Sequence, residues 1–283
     1  MRRGIVSKLD QRLEELQRIK TQFTLEQYRP STIEEFNERV GWPKHPKTGN
    51  PTYLYKYQFD VIDASERFIL VVKSRKIGIT EAIIRRVAQL ALSHYAGFQV
   101  LLVSQREDNS EMMMDRLQNL FWQSPYAALV SKANKGYLKL SNGCEIFSLP
   151  STAQSLRGFP RVKAVYLDEA AHFIQLKDEN IYAALRPSIV NTQGDFVIVS
   201  TPRGQRGFFY KLFCEVNDFR KFVFPYTIAQ GLISNESIEE ERRALGPLFA
   251  QEYEAVFLSS MSAAFPEDFL RLRERDNYVG ETL

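Results

Sequence analysis

Short apolar runs alternate with longer amphipathic stretches from residue 67 onwards, and this alternation restricts the fold more than any other feature. Four strands are predicted, at 67–73, 98–104, 162–168 and 195–201. Four helices are predicted, at 80–95, 106–123, 178–190 and 236–256. Nearly continuous apolar strands are typical of parallel sheets buried on both faces, with helices as crossovers. The pattern predicts an α/β fold with a mostly parallel sheet flanked by helices.

Two further segments add to this sheet and precede it. The runs 137–140 and 144–150, joined around Asn142-Gly143, predict a β-hairpin. Residues 6–20 have apolar side chains at helical spacing, which predicts an N-terminal helical extension. This helix packs on its own domain or binds a partner, and the sequence leaves both open. The Pro-, Gly- and aromatic-rich range 41–57 predicts an ordered loop leading into the core.

Composition narrows the class of protein without identifying it. The 283 residues carry a net charge of +3, too small to predict a nucleic-acid coat. Cys144 and Cys214 are far apart, which indicates a reduced cytosolic chain, and the three histidines have no zinc spacing. The polar start and the lack of a long apolar run predict an intracellular soluble protein with no membrane contact.

The stretch KSRKIGIT, residues 73–80, follows the first strand and opens the first helix, where a phosphate-binding loop belongs. Gly78 and Thr80 fit the pattern G-x-x-x-x-G-K-[ST]. Ile79 stands in the position of the lysine, and Lys73 in that of the first glycine. Backbone N–H groups and a helix N-terminus would face an anion here, and the Thr80 hydroxyl could bind Mg²⁺. The alternative is a basic strand-to-helix turn.

Two other strand ends carry polar residues that would meet this loop at the carboxyl edge of the sheet. Asp168 and Glu169 end the third strand, where a carboxylate can hold Mg²⁺ and its neighbour can activate water. Their alternative role is to cap a helix N-terminus. Ser200-Thr201-Pro202 ends the fourth strand and would otherwise be a plain strand exit.

These three strand ends, in this order, resemble the ATPase domain of the large terminase subunit of bacteriophage-type viruses. STAQSLRGFPRVKAVYLDEAAHF (151–173) is similar to the serine-rich, Arg-Gly stretch before the Asp-Glu strand of that family. FAQEYEAVF (249–257) and SAAFP (262–266) are similar to the end of such domains. The resemblance covers roughly residues 50–260. It implies a P-loop NTPase of the additional-strand type that packages DNA.

The resemblance also implies a role for each residue of the loop. Some terminases carry their lysine in the position of Lys73, and a flexible ammonium could reach the same phosphates from there. Lys76 is the competing candidate. ATP and Mg²⁺ are the implied ligands. The implied nucleotide-binding residues are Gln58, Lys73, Ser74, Arg75, Lys76, Ile77, Gly78, Ile79 and Thr80, with Thr80 and Asp168 holding Mg²⁺.

Further side chains receive implied roles beside an alternative each. Gln58 would lie near the adenine, and Tyr55 or Tyr57 could stack on the base or pack in the core. Arg75 would respond to the γ-phosphate, or pair with Glu81 or a neighbour.

Three functional groups remain in the implied mechanism. Glu169 would be the catalytic base, assisted by Asp168. Arg157 would enter a neighbouring subunit's site, or remain a solvated loop residue. Ser200, Thr201 and Pro202 would couple hydrolysis to movement.

The implied organisation and partners follow. Residues 1–56 would form the helical extension and adenine-side loop, 57–260 the ATPase domain, and 261–283 a tail or linker. The implied partner is double-stranded DNA, moved by a homo-oligomeric ring on a procapsid portal in the infected host's cytoplasm. A small terminase subunit is a further candidate partner. Large terminases also carry a nuclease domain, which we expect to be absent here or a separate chain.

Two rival interpretations stay open at this point. A helicase-like remodelling ATPase shares the strand-DE pattern and a similar third motif, but it would need a second motor lobe. A degenerate P-loop module that binds DNA without hydrolysis is favoured by Ile79. The adjacent acids Asp168 and Glu169 argue against this second rival, because an unused site does not need them.

Overall fold

The computed structural model describes residues 29–151, 156, 158–173, 178–229 and 231–259. The predicted helix at 6–20, the range 261–283 and Arg157 lie outside the described residues. The boundaries proposed for the three segments of the chain therefore stay a prediction.

An eight-stranded sheet forms the centre of the described fold. Its strands are β1 (Phe68–Lys73), β2 (Gln99–Ser104), β3 (Val130–Asn134), β4 (Tyr137–Leu140), β5 (Glu145–Pro150), β6 (Val162–Asp168), β7 (Asp195–Ser200) and β8 (Arg220–Phe224). Their order across the sheet is β3-β4-β5-β2-β6-β7-β1-β8. The six strands from β5 to β8 in this order are parallel to their neighbours, and β3 and β4 add an antiparallel edge.

Helices cover both faces of this sheet. They are α1 (Ile33–Val40), α2 (Lys56–Ile62), α3 (Ile79–Ala91), α4 (Glu107–Trp122), α5 (Asp178–Leu185), α6 (Gly207–Cys214), α7 (Asn235–Leu245) and α8 (Leu248–Tyr253). Among the described residues, none of these helices combines the length and apolar character that crossing a bilayer requires.

Alternating side chains of each central strand enter two separate cores. In β1, Ile69 and Val71 join the core on one face, and Leu70 and Val72 join the core on the other. The first core receives α1 to α4, and the second receives α5 and α6. Burial on both faces explains why the strand sequence is continuously apolar rather than alternating.

The strand order confirms the fold class predicted from the sequence, including the additional strand. β7 lies between β1, which leads into the phosphate loop, and β6, which ends in Asp168. The predicted hairpin is present as β4 and β5, which pair antiparallel. All the parallel strands therefore end at one edge, and the motifs found in the sequence meet there.

Several element boundaries differ from the predictions for local reasons. The predicted helix 236–256 is two helices, because Gly246 has a φ of 51° and Pro247 follows it. The predicted helix 178–190 ends at Leu185 and continues as a 3₁₀ turn, Arg186–Ile189. The edge strands β3 and β8 and the helices α1, α2 and α6 were not predicted, since their sequences lack the pattern of a buried strand or a long helix.

Candidate functional site

Residues 74–78 form the loop that joins β1 to α3 at the carboxyl edge of the sheet. Gly78 has a φ of 75°, a left-handed conformation that favours glycine. Ile77 and Ile79, on either side of it, are fully buried in the core shared with α1 to α4. Ile79 therefore serves packing, and the position where a phosphate-binding lysine is usual contributes no charge to the site.

Gln58 holds the loop from the side of α2 instead of presenting a free amide. Its Nε2 donates to the carbonyl of Gly78 at 2.9 Å, and its Oε1 accepts from the N–H of Tyr55 at 2.8 Å. Tyr57 donates its hydroxyl to the carbonyl of Ile77 at 2.6 Å and is buried. Tyr55 stacks on Tyr57 with 5.6 Å between ring centroids. Helix α2 thus fixes the backbone of the loop at two consecutive carbonyls.

Lys73, at the end of β1, makes an ion pair across the sheet edge with Glu169. Its Nζ lies 2.6 Å from Glu169 Oε1. The two strands are separated by β7, so the lysine side chain extends over that strand. Only 6% of the Lys73 side chain is exposed, compared with 32% for Glu169. The structure therefore places the ammonium of Lys73, and not that of exposed Lys76, next to the acidic pair.

Thr80, in the first turn of α3, meets Asp168 at the end of β6. Its hydroxyl lies 3.2 Å from Asp168 Oδ2 and 3.4 Å from Oδ1. A hydroxyl and a carboxylate are ligands that suit Mg²⁺, which keeps water and phosphate oxygens as its remaining ligands. Within the described ranges, no group of three His, Cys, Asp or Glu side chains is arranged as a metal site. The donor set fits a nucleotide-bound Mg²⁺ better than a protein-enclosed metal ion.

The two neighbouring carboxylates differ in their acidity. Burial and the adjacent Glu169 charge raise the pKa of Asp168 to about 6. Burial also opposes ionisation of Glu169, but the Lys73 ammonium outweighs it and holds the pKa of Glu169 below its usual value. Glu169 is thus ionised at neutral pH, and it has the charge that a base or an ion-pair partner requires.

Arg75 points away from the acidic pair and binds the C-terminal part of the domain. Its guanidinium pairs with the Glu252 carboxylate of α8, and its N–H donates to the Glu252 carbonyl at 2.9 Å. Glu81, the sequence-based candidate partner, pairs with Arg85 at 2.8 Å instead. Ser74 is buried and donates its N–H to the carbonyl of Phe224 in β8. The loop is therefore attached to the last strand and the last helix described.

The residues after β7 contact the residues after β6. Ala171 donates its N–H to Ser200 Oγ at 3.1 Å, and Thr201 donates its N–H to Glu169 Oε2 at 3.3 Å. The His172 ring nitrogen Nε2 lies 2.8 Å from Thr201 Oγ1. Burial is the main cause that lowers the pKa of His172, so its ring is neutral at pH 7. His172 was not selected from the sequence, because its spacing gives no signal.

A cavity of about 710 Å³ opens beside the phosphate loop and extends to the loop before α2. This volume is in the range of small-molecule sites, about 300–1,000 Å³. Lys73, Thr80 and Glu169 line one end. Trp42 and Tyr53 line the other, with ring centroids 4.7 Å apart. The cavity thus has a charged end that suits phosphates and an aromatic end that suits a base.

The structure thus brings together most of the predicted site residues. Lys73, Thr80, Asp168 and Glu169 converge, and Ser200 and Thr201 contact them from β7, while Pro202 follows as a buried residue. Lys76 is exposed at the cavity, and Arg157 lies outside the described residues. Sequence reasoning missed Glu252, His172, Trp42 and Tyr53, whose positions depend on tertiary contacts.

Comparison with known families decides where the chain belongs. The family described as "Terminase large subunit, T4likevirus-type, N-terminal" matches residues 70–271, which is well over half of the chain. The chain belongs to this family. The resemblance noted from the sequence is thereby confirmed. A search of curated protein sequences returns no significant match for this terminase.

Solved structures with the same fold include three phage terminases. The large terminase ATPase domain of Thermus phage P74-26 is 20% identical, with a TM-score of 0.64, over 81% of this chain and 99% of that chain. The large terminase of another, thermophilic bacteriophage is 12% identical, with a TM-score of 0.60, over 73% and 54%. The HK97 bacteriophage large terminase is 16% identical, with a TM-score of 0.54, over 88% and 54%. This terminase chain therefore matches about half of the thermophilic-phage chain and of the HK97 chain.

Proposed function

We propose that this chain is the ATPase of a DNA-packaging motor, which hydrolyses ATP to move double-stranded DNA into a procapsid. The observation that carries the proposal is the ion pair of Lys73 with Glu169 beside the Thr80–Asp168 contact. A buried cation, a hydroxyl and two carboxylates converge there at the mouth of a nucleotide-sized cavity. Membership of the large terminase family supports it, as do the complexes of the thermophilic-phage terminase with ADP and ATP-γ-S.

ATP would exchange partners with the ion pair when it binds. The Lys73 ammonium moves from Glu169 to the phosphate oxygens, because these carry more negative charge and lie at the same end of the cavity. The N–H groups of the loop before Thr80 point to the phosphates from the N-terminus of α3. Glu169 then loses its strongest partner and is free to orient and deprotonate the attacking water.

Thr80 and Asp168 would hold Mg²⁺ between them and the phosphates. When bound, Mg²⁺ neutralises phosphate charge and helps align the γ-phosphate. Ionised Asp168 is required for this contact, and protonation below its raised pKa would compete with it. The Trp42–Tyr53 pair would pack on the base at the other end of the cavity.

The remaining roles concern partners and assembly. We propose that a ring of identical chains acts on DNA at a procapsid portal, with Arg157 entering the neighbouring site. An arginine supplied in trans contributes roughly 10³–10⁵-fold in rate in related phosphoryl transfers. An isolated chain would then hydrolyse ATP slowly. A small terminase subunit and a nuclease on a separate chain or segment are further proposals.

The test is the substitution Glu169→Gln, which keeps the shape of the side chain but removes the base. We expect kcat for ATP to fall by about 100-fold or more, the usual contribution of a general base. Binding of a fluorescent ATP analogue should persist, since the loop backbone and Lys73 are unchanged. Glu66→Gln, an exposed change far from the loop, is the matched control. Normal turnover by Glu169→Gln would remove the proposed mechanism.

A further inference from the structure

Three hydrogen bonds join the turn after β6 to the turn after β7, and protein groups alone make all of them. Ala171 donates to Ser200 Oγ, and Thr201 donates to Glu169 Oε2. The third, between His172 Nε2 and Thr201 Oγ1, is the shortest at 2.8 Å and joins two side chains. The carboxylate of Glu169 is therefore held from below by a residue that His172 holds in turn.

The backbone of Glu169 explains why such support is needed. Glu169 has a φ of 54° and a ψ of 40°, a left-handed conformation that is unfavourable for a residue with a Cβ. Conformations of this kind persist only where the surroundings determine them. The short 3₁₀ turn Ala170–His172 begins at Glu169, and His172 donates its N–H back to the Glu169 carbonyl at 2.9 Å. His172 therefore acts on Glu169 through its backbone as well as through Thr201.

The side chains that make this link are shielded from water. Thr201 is 1% exposed and Ser200 is fully buried. His172 is half-buried at a small cavity that Lys73, Arg75 and Thr201 also line. A neutral imidazole has one donor and one acceptor nitrogen, so it can exchange a hydrogen bond with a hydroxyl without bringing a charge next to Lys73. The contact has the chemistry of a positioning device.

Resting on the proposed ATPase function, we propose that His172 is a positioning residue for Glu169. Through Thr201 it fixes the carboxylate for its action on water, and it connects that carboxylate to the end of β7. Its hydrogen bonds within the described residues go to Thr201 and Glu169 and not to the phosphate loop, so nucleotide binding does not depend on it. Loss of the link should therefore lower kcat and leave KM for ATP nearly unchanged.

The experiment is a double-mutant cycle on ATP turnover with His172→Phe and Thr201→Val, which remove one partner each. Misplacing a catalytic group can cost up to about 100-fold, and we expect each single variant to lower kcat by about tenfold. KM should stay within about twofold, because the lost interaction acts on the catalytic step. The double variant should be no slower than either single variant, because both break the same link.

Three comparisons separate this role from a structural one. His172→Gln keeps a hydrogen-bonding group and should recover most of kcat, while His172→Phe should not. His94→Phe changes an exposed histidine elsewhere and should leave kcat unchanged. Circular dichroism and thermal melting establish whether each variant folds. If His172→Phe fails to fold, the cycle is repeated with His172→Ala.

The outcomes distinguish this inference from the proposed function. If Glu169→Gln loses turnover but His172→Phe keeps the wild-type kcat, the positioning role is overturned and the ATPase proposal stands. Multiplicative losses in the double variant, or a raised KM with unchanged kcat, would also overturn the positioning role. If Glu169→Gln turns over normally, the proposed function fails and the inference fails with it.

Discussion

Replacing Lys73 by Met is the change that tests the ion pair most directly. Met keeps the length of the side chain and removes its charge, which leaves Asp168 and Glu169 adjacent without the cation that now faces them. Breaking a buried ion pair by removing one partner costs about 3–5 kcal/mol. Because 32% of the Glu169 side chain remains exposed to water, we expect a smaller loss of unfolding free energy, about 2–3 kcal/mol.

Urea denaturation followed by circular dichroism measures this loss. A loss of that size corresponds to a Tm lower by roughly 5–10 °C for a domain of this length. Lys76→Met is the matched control, since Lys76 is exposed and has no carboxylate partner in the described part of the chain. It should change the unfolding free energy by less than about 0.5 kcal/mol, as surface substitutions usually do.

The double variant Lys73→Met/Glu169→Gln removes both charges and provides the decisive comparison. Replacing both members of a buried pair by neutral groups is often nearly neutral, so the double variant should recover most of the lost stability. Binding of a fluorescent ATP analogue should weaken in Lys73→Met and stay close to wild type in Lys76→Met. A double variant as unstable as Lys73→Met, or equal losses in the two lysine variants, would refute the reasoning.

Two further changes test the contacts of the loop backbone and of its arginine. Gly78→Ala should lose about 2–3 kcal/mol in urea denaturation, since a Cβ on this left-handed residue would lie 2.7 Å from Gln58 Nε2; unchanged stability would contradict the described loop conformation. Glu252→Gln should release Arg75 towards the phosphates and tighten ATP about threefold relative to ADP, the scale of one hydrogen bond. Calorimetric titration measures both nucleotides, and equal effects on them would exclude this role of Arg75.

The central part of the fold was predictable because its physical signal is local. β1, β2, β6 and β7 are continuous apolar runs, and parallel strands buried on both faces need such runs. The edge strand β8, Arg220–Phe224, has only Phe224 fully buried, so its sequence lacks that pattern. The break between α7 and α8 was readable from Gly246-Pro247, and the sequence interpretation passed over it.

The candidate site was predictable only where a strand ends. Lys73, Thr80, Asp168 and Glu169 could be placed together because the carboxyl ends of parallel strands share one edge. The pairing of Arg75 with Glu252 could not be inferred, since it depends on where α8 packs. The roles assigned to these residues remain predictions that the experiments above address.

The position of β7 has a mechanical consequence. Neighbouring strands lie about 4.8 Å apart, so the phosphate loop and the acidic pair stand two strand spacings, about 10 Å, from each other. β7 is hydrogen-bonded to the strand on either side of it along its length. Any widening or narrowing of the gap that a triphosphate spans must therefore strain the middle strand, and the Thr201 turn at its tip is the place where such a change would first be felt.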